Sequence, residues 1–541
     1  TIHSFPTRRS SDLKAIMEEC KVRARDAGLR FETDSLEYIV SNRDLIELSP
    51  KGMIPTLYDY WVNDVEVMKK KGVYKLYPTN PYETVINTRP AISFYNDNNP
   101  DWLNVMIFYH VLAHMDFFQN NLYFQHTWAY DFNGEALADK RLINRLRSAH
   151  GRWVDYLIEF ARGIDNLVGY FDALYHMDQP NKSAREKMID FYFDHFLQNE
   201  QKVSQVDYLK EIEQFNASVR ENGADTGAEL FFSRVKKASP EFEEKYKKWI
   251  ETREMAVHRD ILQFLADHSD FLNKQENKWM KSVLEVVRKT SMFFQPQIRT
   301  KIMNEGWATY WHDRLFLDDD RISGHEIDFS RVNSQVAALS RVGLNPYALG
   351  LRLFETIEEN AEAGKYSYEF EKLSDQQSRK DYHKRNGSGR EFLFAVRRHL
   401  CDGLFIRKFV DQDFVDKYRL FVAGKKLNMI RRTWQYYVKS RKADDYRGML
   451  LENLYHPPRI RYNADEDGCL SLAHVFEGRP LVKDFIANTM LGIEYLWGRP
   501  VTLTTHQVKQ DNRTDDQEDS EIIWEKVKYT MNQRKLTMEW M

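Results

Sequence analysis

Cysteine is nearly absent from this chain: Cys20, Cys401 and Cys469 are its three, and they lie far apart. An odd, scattered set argues against a disulfide framework or a thiolate zinc knuckle, and it is the usage of a reducing compartment. Long apolar runs are missing too. None approaches the roughly 18 to 20 residues of a membrane span, and the first residues do not join a basic stretch to an apolar one as a secretory signal does, so the cytoplasm is the expected location. Neither charge sign prevails. The 78 Lys plus Arg against 81 Asp plus Glu leave a net charge of -3, without the basic footprint that a nucleic acid or an anionic membrane surface calls for. G-x-x-x-x-G-K, G-x-G-x-x-G, G-x-S-x-G and Cys-x-x-Cys are all missing, and with them any support for nucleotide binding, serine hydrolysis or thiol redox chemistry.

Hydrophobic residues make up 42% and aromatic residues 14% of the 541 positions, enough apolar material for more than one core at a length that one core does not usually serve. Residues 1–13 contain the run HSFPTRRSSDL, which resembles the translation of a sequencing-adapter oligonucleotide, so the native chain is expected to begin near Lys14. Residues 14–422 read as a large, mainly helical domain. Ile16, Cys20, Ala24 and Ala27, then Leu57, Trp61, Val65 and Met68, recur at three- and four-residue steps and predict helices up to about Lys71. Tyr82 to Thr88 and Ala91 to Tyr95 are short β-branched and aromatic runs around Arg89-Pro90, which predict a small ribbon or sheet. Asn99 and Pro100 predict the cap and first residue of the next helix. Pro296 is expected to end one helix before another at Arg299 to Leu315, and Asn345-Pro346 to open a third. Polar stretches near 199–237 and 364–389 read as insertions, the first of them mobile.

Residues 423–510 change grammar. Alternation at Trp434, Tyr436 and Val438, a helix from Ala443, strands near Tyr462 and Phe476, a helix closed by Gly498 and a strand from Val501 to His506 give the order β-α-β-β-α-β. That order predicts an α+β, ferredoxin-like C-terminal domain. Residues 511–541 read as an acidic tail with a terminal helix from about Glu521.

Two places concentrate chemistry. His110 and His114 are four residues apart on the stripe Leu103, Met106, Ile107, His110, His114, so both imidazoles face inward at a spacing that one metal ion bridges. A peptidase zinc helix also needs a glutamate directly after its first histidine as general base; here that position is Val111. In the second place, Asn304-Glu305-Gly306-Trp307-Ala308-Thr309-Tyr310-Trp311-His312, the residues Glu305, Thr309 and His312 share one helix face. A carboxylate and an imidazole on an aromatic segment are costly to bury unless paired or metal-bound. Glu305 is therefore the candidate third ligand, with Gly306 beside it allowing close helix approach. His312 is a supporting or proton-transfer group, and Tyr310 a polariser of a bound carbonyl if its helix turns it inward. The bland alternative is a polar core: hydrogen-bonded histidines, and Glu305 paired with a histidine or with Arg299. Asn120-Asn121 stand between supporting amides and plain helix termination. Two strands ahead of the histidine helix also suit a zincin-like fold, whose edge strand holds a substrate backbone. Zinc or another divalent transition metal is the expected cofactor of the first reading.

The strings HVLAHMDFFQNN, FFQPQIRTKIMNEGWATYWH, GLNPYALG and YRGMLLENLYHPPRI, beginning at His110, Phe293, Gly343 and Tyr446, resemble the SpoVR family, the stage V sporulation protein R group, over nearly the whole chain. The resemblance implies a bacterial protein tied to stress or starvation, and to spore cortex formation in organisms that sporulate. It also implies a PrkA-type serine protein kinase and a von Willebrand A-like protein as partners. It implies no catalytic activity. Two functions therefore stand open: a metal-dependent hydrolase or degenerate zincin with His110, His114 and Glu305 as ligands, and a non-enzymatic regulatory protein whose C-terminal unit docks the kinase.

Overall fold

The computed structural model describes residues 8–41, 83–128, 131–168, 183–255, 260–320, 323–384, 387–428, 433–511 and 522–541, apart from the single positions 33, 202, 204, 341 and 466. The described chain is mainly helical with three small sheets. Two compact units are present: Val168–Phe264, and the remainder of the chain.

The larger unit opens with helix α1 (Arg8–Asp26), followed by strand β1 (Ser35–Val40). Helix was expected through this stretch, but Ser35-Leu-Glu-Tyr-Ile-Val exposes and half-buries its side chains alternately and pairs parallel to β3 (Ala91–Asn96). The expected stripe from Leu57 to Met68 lies outside the described residues. Strands β2 (Glu83–Ile86) and β3 form the expected antiparallel pair, giving a sheet of order β1-β3-β2. Helix α2 (Asp101–Asn120) begins one residue later than expected. Pro100 takes the cap position, its carbonyl accepting from the Leu103 and Asn104 amides, while the Asn99 side chain donates to Asn104 Oδ1.

The next element that bears on the site is α3 (Lys278–Arg299), which continues through Pro296 where an end was expected. After Thr300 the chain re-enters helix as α4 (Lys301–Leu317), followed by α5 (Glu326–Val336), α6 (Pro346–Glu362) and α7 (Gly389–His399). Asn345 caps α6 by accepting from the Tyr347 and Ala348 amides, with Pro346 at the first helical position as expected. Helix α4 is buried between α2 and α6. Trp307, Tyr310 and Trp311 of α4 pack with Phe354 and Phe394 to form the aromatic centre of this unit.

Further on, β4 (Val422–Asn428) and β5 (Thr433–Ser440) make a two-stranded ribbon. After α8 (Ala443–Asn453) come β6 (Arg459–Ala464), β7 (Leu470–Val475), α9 (Lys483–Trp497), β8 (Val501–Asp511), β9 (Ile522–Asn532) and β10 (Lys535–Trp540). The sheet order is β10-β9-β8-β7-β6, with β7 and β8 parallel across α9. The expected elements from Thr433 to His506 are all present in order, but they do not form a ferredoxin-like sheet. β5 pairs with β4, and the free edge of β8 is taken by β9. The expected terminal helix is this β9–β10 hairpin: Val527, Tyr529 and Met531 are buried at every second position, the period of a strand.

In the smaller unit, the polar stretch expected to be a mobile insertion is two helices, Gln205–Asn222 and Ala224–Ala238. Phe231, Phe232 and Val235 of the second join Phe191, Tyr192, Phe196 and Phe242 in a buried aromatic cluster, which gives these charged helices one apolar face to bury.

Candidate metal centre

Helix α2 is buried on nearly all sides from Asn104 to Phe118, so its two histidines enter the core together. The His110 and His114 rings lie 4.6 Å apart between centroids and almost perpendicular. Opposite them, α4 supplies Glu305, whose Oε2 is 3.8 Å from His110 Nε2 and 3.6 Å from His114 Nε2. The three ligand-type atoms lie within 4.8 Å of one another, and this is the one such group of three or more His, Cys, Asp or Glu among the described residues. Tyr347, the second residue of α6, hydrogen-bonds Glu305 and stacks on the His110 ring at 6.1 Å.

Two local features bring α4 into place. Gly306 meets Gly350 of α6 so closely that a Cβ on Gly306 would lie 2.3 Å from the Gly350 Cα; only a residue without a side chain permits that approach. The N-terminus of α4 has no cap of its own, and buried Asp402 accepts there from the Ile302 and Met303 amides at 2.8 and 2.9 Å. Burial raises the Asp402 carboxyl to about 7 despite those two donors. Its folded pKa thus exceeds the ordinary 3.8, so between pH 3.8 and 7 the folded state keeps a proton that the unfolded state releases, and stability falls as pH rises through that window. Relative to Asp402→Asn, the wild type is expected to lose on the order of a few kcal/mol between pH 4 and 7.5. Urea melts at both pH values check this; a difference that does not change with pH contradicts it.

Hydrogen bonds and burial set the charge states of His114, His312 and Glu305. His114 Nδ1 is 2.9 Å from the Asn304 amide oxygen, which only accepts, so the proton sits on Nδ1 and the lone pair on Nε2. Burial, then the neighbouring His110, lowers His114 to about 4, and burial lowers His312 to about 3, so both are neutral near pH 7. Burial pushes the Glu305 carboxyl up and its neighbours pull it down, Tyr347 among them through a hydrogen bond, so that the group stays below its ordinary value, as a carboxylate. Its Oε2 is buried and accepts no hydrogen bond.

His110, His114 and Glu305 are therefore brought together, and His312 stands behind His110, Nδ1 to Nδ1, at 2.8 Å. Tyr310 is not brought in. It lies five residues beyond Glu305, well around the helix, where its hydroxyl bonds Glu358 and its ring packs beneath Arg314. The tyrosine at the cluster is Tyr347, which sequence reading passed over as part of a helix start. Asn304 was also passed over, and it supplies the supporting amide in place of Asn120 and Asn121. Those two bond backbone carbonyls, Asn120 those of Arg30 and Asp116, Asn121 those of Arg397 and Leu400. Arg299 packs over the Tyr123 ring. Val111 is fully buried, as expected of a core residue.

Fold and cluster together define a helical protein in which two histidines of one helix and a glutamate of another converge, without the base that a peptidase zinc helix carries. Residues 7–454 match the family model described as SpoVR like protein, and the chain belongs to that family. It is also similar to YcgB of Escherichia coli (strain K12), described as an uncharacterized protein, with 24% identity over 340 residues. That match covers 60% of this chain and 59% of YcgB, less than two thirds of the relative's length. No solved structure matches.

Proposed function

We propose that this SpoVR protein binds one divalent transition-metal ion, zinc by the chemistry of the donors, through His110 Nε2, His114 Nε2 and the Glu305 carboxylate. The observation that carries this reading is the buried Glu305 Oε2, which accepts no hydrogen bond while facing two imidazole nitrogens at 3.6 and 3.8 Å. Those separations are too long for hydrogen bonds and close to the roughly 3.4 Å between neighbouring ligands of a tetrahedral ion with bonds near 2.0 to 2.1 Å. Two neutral imidazoles and a carboxylate form a donor set that zinc favours. When bound, such an ion supplies Lewis acidity and lowers the pKa of a coordinated water. Around it, Tyr347 holds Glu305 and Asn304 holds His114, while Val111 offers no base. Family membership supports a role in stress or starvation physiology, spore cortex formation included where the organism sporulates, beside a PrkA-type kinase and a von Willebrand A-like protein. An atypical metal-dependent hydrolase and a metal-bearing regulatory protein share this centre, and Val111 favours the regulatory reading.

Elemental analysis of purified protein is expected to give about one equivalent of metal, with at least a tenfold drop in both His114→Ala and Glu305→Ala at unchanged helix content. Wild type that takes up no zinc, cobalt, manganese or iron(II) after reconstitution overturns the proposal.

A further inference from the structure

His312 is not a ligand in the reading above, yet its ring lies against His110, and behind it a short chain of polar groups runs out to α5. Followed inward from its outer end, each group leaves the next one choice. The Asp313 carboxylate accepts from Asn333 Nδ2 at 2.9 Å. That donation turns the Asn333 amide oxygen towards His312, 3.0 Å from Nε2. An amide oxygen only accepts, so His312 carries its proton on Nε2 and presents a lone pair at Nδ1. His110 Nδ1 lies 2.8 Å from that lone pair and has to be the donor. A neutral His110 protonated at Nδ1 keeps its lone pair at Nε2, the atom that faces Glu305.

We propose that Asn333, oriented by Asp313, is a positioning residue for the metal centre: acting through His312, it holds His110 in the tautomer that ligates through Nε2. This inference rests on the metal reading and extends it to a helix that supplies no ligand. Helix α5 is largely exposed, and its buried residue, Phe329, stacks on Phe316 at 4.3 Å and meets the His312 ring edge-on at 6.1 Å. A partner or ligand that shifts α5 therefore acts on the centre through Asn333. Hydrogen-bonded groups behind a metal-bound histidine commonly set its tautomer and change metal affinity by one to two orders of magnitude.

The test is nitrogen-15 NMR of histidine-labelled, metal-free full-length protein, together with zinc titrations. In the wild type His110 is expected as the Nδ1–H tautomer and His312 as Nε2–H. Asn333→Leu, which has similar bulk but no acceptor, is expected to lose that pairing and to weaken zinc binding 10- to 100-fold. Asn333→Asp, which keeps an acceptor towards His312, is expected to retain the tautomers. Unchanged tautomers and affinity in Asn333→Leu overturn the inference. Failure of the wild type to bind zinc overturns the metal centre itself, and the tautomers, being read without metal, then still decide whether the relay exists.

Discussion

Gly306→Ala is expected to cost at least about 3 kcal/mol of stability and most of the metal affinity, and Gly350→Ala the same. Overpacking a core normally costs about 1 to 3 kcal/mol, because side chains shift to make room. Here the obstructing atoms belong to backbone. A Cβ on Gly306 meets Gly350 Cα and C at 2.3 and 2.4 Å, and one on Gly350 meets the Ile302 carbonyl oxygen at 2.3 Å. Whole helices have to move apart, and they are the helices that carry Glu305 and Tyr347. Gly448→Ala provides the control: that glycine is in the helix α8, and a Cβ there has nothing within 4 Å. Alanine at that position is expected to be neutral or to stabilise by about 0.5 to 1 kcal/mol. Urea denaturation with zinc titration separates the cases. Wild-type affinity in Gly306→Ala contradicts the close approach.

Asp116→Ala is expected to be nearly as damaging for a different reason. This carboxylate lies two residues past His114 and is fully buried. It accepts from the Trp307 indole at 2.9 Å and from the Arg30 amide at 2.7 Å, and it faces Arg397 Nε at 3.3 Å. It thereby joins α2 to α4 and α7. Burial raises its pKa to about 6, with Arg397 opposing. Removing it leaves a guanidinium buried without its counter-charge, a loss of about 3 to 5 kcal/mol. Replacing both partners, as in Asp116→Leu with Arg397→Met, is expected to recover a large part of that loss, because an apolar pair carries no desolvation penalty. Chemical denaturation of the single and double variants checks this; a double variant no better than Asp116→Ala contradicts it.

How much of this was legible in the sequence follows from what each signal depends on. His110, His114, Glu305 and His312 were legible because they obey helical spacing on segments whose other residues are apolar, so local periodicity alone turned them inward. The closeness of the two helices was legible in part, through Gly306 next to Glu305. Gly350 completes that contact from a helix met separately in the sequence. Tyr347, Asn304 and Asn333 escaped notice because their roles arise only when separate helices meet. A tyrosine or an asparagine in the first turn of a helix, as Tyr347 and Asn304 are, or in the last turn, as Asn333 is, has an ordinary local explanation that hides it. Tyr310 misled for the converse reason: it belongs to the informative string, but its angle on α4 carries it to Glu358.

Among the secondary-structure elements, misreadings fell where two periods compete over a short run. Val527, Tyr529 and Met531 alternate, and β9 is held on one side by the adjacent β10 and on the other by β8, a partner that lies outside its own local window. The ferredoxin-like topology failed on pairing, not on element order, since β4 was not recognised as the neighbour of β5. In the smaller unit the helices Gln205–Asn222 and Ala224–Ala238 were hidden by their charge, although Phe231, Phe232 and Val235 already marked a helix face.

The most direct test of the central claim is X-ray absorption spectroscopy on zinc-reconstituted full-length protein and on Glu305→Ala. Two imidazole nitrogens and a carboxylate oxygen at about 2.0 to 2.2 Å, with no sulfur, are expected in the wild type, and the oxygen contribution of Glu305 is expected to fall away in the variant. A zinc bound by thiolate, or a shell identical in both proteins, would contradict a centre built from His110, His114 and Glu305.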